Sequence, residues 1–267
     1  MGLLTVEKLA LEVVTLDEDR EEKFWEHVYR DPLDYFFFIL DWKFDRDKTK
    51  ILLALEEDEI QGMMVIFRKS IVQLRGSRKA ASLLLEHLDL EEVEMGAPKE
   101  FEDLMLERYE PQIRNEIVLM HLSKGEERIL KHQELERLSA DDAEQIANLM
   151  RISYPDWWGE MTAERVKYLM KRNFWLGIKQ DDKVVALGNT RFLDFGSNIG
   201  VVATDEAYRN RGYATSIVSA LTEEILQRCD TAMIHVLRDN DPAIHIYEKV
   251  GFKPYKSYML IKKAKRI

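Results

Sequence analysis

Cysteine is almost absent: Cys229 stands alone among 267 residues. An internal disulfide framework is therefore excluded, and the fold must rest on its core, as suits a reducing compartment. The flanks Ile225, Leu226, Gln227 and Arg228 read as a helix end, which favours a structural thiol over a reactive one. Proline (6) and glycine (12) are also scarce, and no Gly/Ser linker or low-complexity stretch divides the chain. Long apolar runs are missing, since nothing approaches the roughly 18 residues of a membrane span, and the opening MGLLTVEKLALEVVTLDEDREEK has no apolar block. The expectation is a soluble cytoplasmic chain with no membrane partner. Positive charge is in deficit, with 39 Lys and Arg against 49 Asp and Glu, net −10. That argues against a nucleic-acid partner, whose affinity needs phosphate neutralisation. No Gly-x-x-x-x-Gly-Lys-Ser/Thr motif occurs, so a P-loop nucleotide site is excluded.

What is present is 46% apolar residue, enough for two cores of ordinary size. The polar segment Ser123 to Arg128 follows the apolar run Ile117 to Leu122 and marks the expected boundary, giving domains 1–125 and 126–267. In the second half, Glu134 to Leu138 reads as a strand and Ser139 as the N-cap of a helix through Ile146, Leu149 and Met150. Tyr154-Pro155-Asp156-Trp157-Trp158-Gly159 breaks that helix, and another starts at Thr162. Phe174 to Lys179 and Val184 to Phe192 are strands joined at Gln180-Asp181-Asp182, and Ile199 to Thr204 is the next strand. A long helix (Thr215 to Arg228), a strand (Met233 to Leu237), a helix opened by Pro242 and one or two closing strands (Phe252 to Ile261) complete the order. The first half repeats it: helices Glu18 to Arg30 and Leu33 to Trp42, strands Ile51 to Glu56, Ile60 to Phe67 and Ile71 to Arg75, helix Ser77 to His87, strand Glu91 to Met95, helix Lys99 to Tyr109 and strand Ile117 to Leu122. An internal structural duplication is expected.

The chemistry concentrates where the apolar strand Val201 to Thr204 gives way to Arg209-Asn210-Arg211-Gly212-Tyr213-Ala214. A glycine-containing turn before a helix offers unpaired amides, the positive helix end and two arginines to a phosphate. A surface turn with solvated arginines explains the six residues equally well. Downstream, Asn240, Ala243, Tyr247 and Gly251-Phe252 follow at spacings of three, four and four, so Ala243 and Tyr247 share a helix face. Together the two patterns, over roughly Glu134 to Lys263, resemble the GCN5-related N-acetyltransferase superfamily. That family carries an Arg/Gln-x-x-Gly-x-Gly/Ala loop and a later Asn-x-x-Ala-x-x-x-Tyr-x-x-x-Gly-Phe pattern.

The resemblance implies an α/β (α+β) fold of two acyl-CoA N-acyltransferase-like domains in tandem, each a mixed, mostly antiparallel sheet flanked by helices. It implies acetyl-CoA as cosubstrate and no metal. Backbone groups of Val202, Ala203 and Thr204 would hold the pantetheine arm. Amides of Asn210, Arg211, Gly212, Tyr213, Ala214 and Thr215, with Arg209, would hold the pyrophosphate, and Asn240 would bond the arm further along. Tyr247 would protonate the departing thiolate, unless it is only a core aromatic. Many members carry a glutamate on the strand before the Asn-x-x-Ala pattern, where this chain has His235. An imidazole, with a pKa ordinarily near about 6.5, could take the amine proton, or it could be a strand histidine satisfied by a neighbour. Asn198, at another position used in the family, cannot act as a base. His245 belongs to the helix surface. Trp157, Trp158 and Glu160 lie where the family builds its acceptor lid, though the tryptophans could equally staple two helices.

In the first half the turn reads Gln73-Leu74-Arg75-Gly76-Ser77-Arg78, with bulky Arg78 at the small-residue position. The expectation is a degenerate copy without CoA beside a catalytic second domain. The reading is an N-acetyltransferase acting by direct transfer on an amine of a small molecule or protein, and a homodimer is left open. The alternative is a CoA-binding sensor or scaffold without turnover.

Overall fold

The structure is a computed structural model and describes residues 10–131 and 133–267; the reading of the opening residues falls partly on 1–9, outside that range. The chain divides into two compact units, residues up to Ile117 together with Lys256–Ile267, and Val118–Tyr255. Compared with the expected halves, the last segment of the chain lies with the first unit.

In the first unit, β1 (Glu12–Thr15), α1 (Glu21–Val28), α2 (Phe36–Phe44), β2 (Thr49–Glu56), β3 (Glu59–Phe67), β4 (Ile71–Gly76), α3 (Arg78–Glu86), β5 (Glu92–Pro98), α4 (Glu102–Leu106), β6 (Tyr109–Glu110) and the start of β7 (Ile113–Ser123) follow in order. The second unit takes the rest of β7, then β8 (Glu136–Arg137), α5 (Ala143–Ser153), α6 (Pro155–Trp158), α7 (Ala163–Met170), β9 (Phe174–Gln180), β10 (Lys183–Arg191), β11 (Ser197–Thr204), α8 (Tyr213–Leu226), β12 (Thr231–Leu237) and α9 (Asp241–Val250). The chain ends in a single long strand, β13 (Lys253–Arg266).

Each unit repeats one strand order. The first runs β1-β2-β3-β4-β5-β13 and the second β8-β9-β10-β11-β12-β7, with β4 and β5, and β11 and β12, as parallel pairs among antiparallel neighbours. The fold is thus a mixed α/β arrangement of sheet flanked by helices. In both units a two-residue turn joins the second and third strands, Glu57-Asp58 and Asp181-Asp182, all four residues at positive φ. Such turns match the right-handed twist of the strands they link.

Three expectations change at element ends. The helix expected over Glu18 to Arg30 is a 3-10 turn (Glu18–Arg20) followed by α1. The helix expected over Lys99 to Tyr109 stops at Leu106, because Tyr109 joins strand β6 and donates its hydroxyl to the Leu90 carbonyl at 2.9 Å. The expected break at Tyr154 to Gly159 contains a short helix, α6, whose first residue is Pro155; proline suits a first turn, where its missing N–H is not required.

The second unit has a sheet covered on both faces. Ile146, Ala147, Leu149 and Met150 of α5 pack with Val166 of α7 against Trp175, Leu187, Val201 and Ala203. On the other face Ile217, Val218, Leu221 and Ile225 of α8 pack with Val185, Ile199, Ile234 and Val236. Burial of each such side chain contributes about 1.5–3 kcal/mol. α8 lies so close to β10 that a Cβ at Gly188 would meet Ile217 Cγ2 at 2.5 Å. Ser139 caps a 3-10 turn (Ala140–Asp142) that leads into α5, not α5 itself: Ser139 Oγ accepts from the Asp141 amide at 3.2 Å, and the Asp142 carboxylate accepts from the Ser139 amide at 2.8 Å.

Candidate functional site

Strand β11 has a β-bulge. Gly188 of β10 faces Val202 and Thr190 faces Ile199, so Asn189 opposes both Gly200 and Val201. The extra residue resets the alternation of faces. Ile199 therefore packs under α8 while Val201 and Ala203 pack under α5. A Cβ at position 200 would stand 2.5 Å from Asn189 Oδ1, so a larger residue there would displace the Asn189 side chain.

At the bulge β11 also leaves its parallel neighbour. The β11 and β12 register runs Ser197↔Ala232, Asn198↔Met233, Ile199↔Ile234 and ends. From Gly200 onward one edge of β11 has no strand beside it among the described residues. The Asp205 amide donates to the Val185 carbonyl at 2.8 Å, which makes that opposed pair a hydrogen-bonded one. Antiparallel pairs alternate, so Ala203 directs both backbone groups to Leu187 on β10. Val202 and Thr204 then direct theirs to the open edge. Two side-chain contacts agree with this: Tyr154 donates its hydroxyl to the Val202 carbonyl at 3.2 Å, and Arg209 Nε donates to the Thr204 carbonyl at 3.5 Å. The buried Thr204 Oγ1 has no hydrogen-bond partner. Of the three expected backbone residues, two face the opening and Ala203 does not.

The edge leads into the turn before α8. Asn210 (φ 63°) and Gly212 (φ 77°) are both left-handed, and Gly212 is the α8 N-cap with no side-chain cap. The first α8 amide to find a carbonyl is that of Ser216, on Gly212. Among the described residues, the amides of Tyr213, Ala214 and Thr215 have no backbone or capping acceptor. They open at the positive end of α8, an arrangement that attracts anions. A Cβ at Gly212 would meet nothing within 4 Å, so the turn is open. The arginine side chains fold back on the turn, Arg209 to the Thr204 carbonyl and Arg211 to the Ala207 carbonyl and over the Tyr208 ring. The Tyr213 side chain is buried in the core, leaving only its amide to the turn.

Asn240 is the N-cap of α9, its Oδ1 accepting from the Ala243 amide at 3.2 Å. Tyr247 is 7% exposed and meets Phe252 edge-on at 6.2 Å between centroids. Burial, with a lesser contribution from Tyr154, pushes its hydroxyl well above the usual phenol range. The Tyr154 hydroxyl is also raised by burial, partly offset by the nearby positive charge of Arg209 and by Asn240. Tyr154, Val202, Arg209, Asn240 and Tyr247 are thus brought together, and Tyr154 is the member that sequence reading did not assign.

His235 projects from β12 on the face opposite Ile234 and Val236, and its Nδ1 lies 3.2 Å from Asn198 Oδ1. With that oxygen accepting, Nδ1 carries the proton and Nε2 the lone pair. Trp157 and Trp158 are half-buried on α6, Trp158 against the α5 and α7 core, and Glu160 is exposed. His245 is exposed on α9, and Cys229 is buried with Ser197 Oγ 3.4 Å from its sulfur. Among the described residues no group of three or more His, Cys, Asp or Glu could hold a metal ion, and no helix is long and apolar enough to cross a membrane.

In the first unit the β4 and β5 register also ends after three pairs, at Gln73↔Gly96, but the bulge and the open turn are missing among the described residues. β3 and β4 pair without a register shift from Phe67↔Ile71 to Gly62↔Gly76. Ser77 follows β4 directly and caps α3, its Oγ accepting from the Ala80 amide at 3.3 Å. Arg78 binds the Glu100 carbonyl at 2.8 Å and the Asp103 carboxylate.

Residues 175–261 match the FR47-like protein family. No curated protein matches the sequence. A solved Drosophila protein aligns over 97% of this chain and 99% of its own at 15% identity, with a TM-score of 0.73. A GNAT-family acetyltransferase from Colwellia psychrerythraea aligns over 94% and 99% at 12% identity, TM-score 0.60. A tandem GNAT protein from the clavulanic acid biosynthesis pathway aligns over 96% and 98% at 11% identity, TM-score 0.59. Residues 175–261 thus match the FR47-like family, and along its whole length the chain shares the fold of these solved structures, GNAT-family proteins among them.

Proposed function

We propose that the second unit transfers an acetyl group from acetyl-CoA to an amine on a small molecule or protein by direct attack. The observation that carries this reading is the continuity of two features, an open β11 edge at Val202 and Thr204 and uncapped amides at the start of α8. Such an edge suits the amides of a pantetheine arm as an added half-strand, and the turn suits a pyrophosphate. The unpartnered Thr204 Oγ1 and the empty space over Gly212 fit a ligand of that kind. When bound, acetyl-CoA supplies a thioester carbonyl open to a neutral amine.

The residues divide the work. Val202 and Thr204 hold the arm, the amides of Asn210 to Thr215 hold the phosphates, and Asn240 bonds the arm nearer the thioester. Tyr247, kept protonated by burial, gives its proton to the leaving sulfur. His235, with its tautomer set by Asn198, takes the amine proton directly or through water. Trp157, Trp158 and Glu160 border the acceptor side. The first unit, with no bulge in β4 and with Ser77 and Arg78 closing the α3 turn, supports the second without binding CoA.

The test is calorimetric titration of the full chain with acetyl-CoA, followed by CoA-release assays across a panel of small amines and peptides. Binding with acceptor-dependent CoA release supports the reading. Binding with no turnover on any acceptor would make the protein a CoA sensor, and no binding would remove both.

A further inference from the structure

The open β11 edge is not bare, because each of its two outward carbonyls is met by a side chain of the same unit. Arg209 takes that of Thr204, and Tyr154 takes that of Val202. Tyr154 reaches this place because it lies between two helices. It ends α5, its amide donating to the Met150 carbonyl, and it begins α6, its own carbonyl accepting from Trp157 and Trp158 at 3.1 and 2.8 Å. Preceding Pro155, its backbone has left the helical region (φ −144°, ψ 69°), which a following proline disfavours. The backbone at 154 is thereby held at both ends and the side chain is projected at the edge. Its hydroxyl meets the Val202 carbonyl, a group that the proposed function assigns to the pantetheine arm.

We infer that Tyr154 is a latch on the donor site: its hydroxyl occupies the hydrogen-bonding place of the pantetheine arm, and the arm enters only when Tyr154 gives up Val202. This rests on the assignment of the β11 edge to acyl-CoA. The bond is made on a backbone carbonyl that would otherwise stand unpaired in a half-buried place. The free protein is therefore stabilised by it, and the same stabilisation opposes loading. A ligand that touches only the phosphate turn does not meet the latch.

The experiment titrates the full chain, wild type and Tyr154→Phe, with three probes: acetyl-CoA, pantetheine and 3′,5′-ADP. Removing the hydroxyl leaves Val202 without its partner in the free state, so Tyr154→Phe tightens acetyl-CoA and pantetheine by about 3- to 10-fold, the range of one net hydrogen bond, and leaves 3′,5′-ADP unchanged. Tyr154→Leu moves affinity in the same direction and guards against an effect peculiar to the Phe ring, while thermal melting checks that both variants fold. Weaker or unchanged acetyl-CoA binding in both variants, with wild type binding all three probes, would overturn the latch and make Tyr154 a ligand-holding or spectator residue. If wild type binds none of the probes, the donor-site assignment itself fails and the latch with it.

Discussion

Tyr247 and Tyr154 are two phenols raised for the same first reason, burial, yet the roles proposed for them differ. An acid that protonates a thiolate must hold its proton at working pH, and a phenol raised above its usual value of about 10 does so throughout the neutral range. Tyr247→Phe is expected to lower kcat by about 100-fold or more while leaving the acetyl-CoA Kd nearly unchanged. Because an acid is active below its own pKa, the wild-type kcat should show no fall between pH 7 and 10 attributable to Tyr247; a fall in that range, absent from Tyr247→Phe, would contradict the role. His235 is tested by rate. His235→Gln should reduce kcat, and Asn198→Ala should reproduce part of the loss by freeing the tautomer.

At the scale of elements, the site is made by where strands and helices stop. A residue other than glycine at position 212 must adopt φ 77° in open space, so the cost comes from the backbone alone, about 1–2 kcal/mol. Gly212→Val is therefore expected to lower Tm modestly and to weaken 3′,5′-ADP binding strongly, because the strain is relieved by moving the amides that face the ligand. Ser139→Ala is its control: loss of the cap on the 3-10 turn that leads into α5 costs about 1 kcal/mol of stability and leaves ligand affinity alone. Much at this scale was legible from residue order. The Ser139 cap, the Asp181-Asp182 turn, the apolar face of α8 and the proline opening of α9 each follow from local chemistry. The bulge was not legible, since it depends on which β10 residue faces Gly200, and β10 precedes it by a loop of variable register.

At the scale of the whole molecule, the first unit is closed by residues from distant parts of the chain. Asp34 accepts from Arg75 Nε at 2.5 Å, from Lys256 Nζ at 2.5 Å and from the Tyr258 hydroxyl at 2.7 Å. Tyr258 lies in β13, paired with β5 from Tyr258↔Pro98 onward. Burial by itself would raise the Asp34 carboxyl, but Arg75, Lys256 and Tyr258 outweigh it and hold it below the usual range. A carboxyl lowered in the folded state contributes stability that is complete above its unfolded pKa of about 3.9 and is lost as pH falls through the folded value. Asp34→Ala leaves buried Arg75 without its partner and is expected to cost about 3–5 kcal/mol at pH 7 in urea unfolding. The difference between wild type and variant should shrink as pH is lowered below about 4; a constant difference would mean that packing and not charge is responsible.

The sequence by itself determined the order of elements, their capping, the repeated strand pattern and the two glycine-bearing motifs, because periodicity, caps and turn residues act over a few positions. Only the tertiary structure decided which backbone groups face the opening, that Tyr154 stands among them, that Asn198 orients His235, and that the final strand belongs to the first unit. These depend on strand register and on contacts between residues far apart in the chain. Tyr154 and Val202 lie 48 positions apart, and Asp34 and Tyr258 lie 224 apart. No local pattern specifies such pairs, since either partner taken alone is an ordinary aromatic, carboxylate or apolar residue.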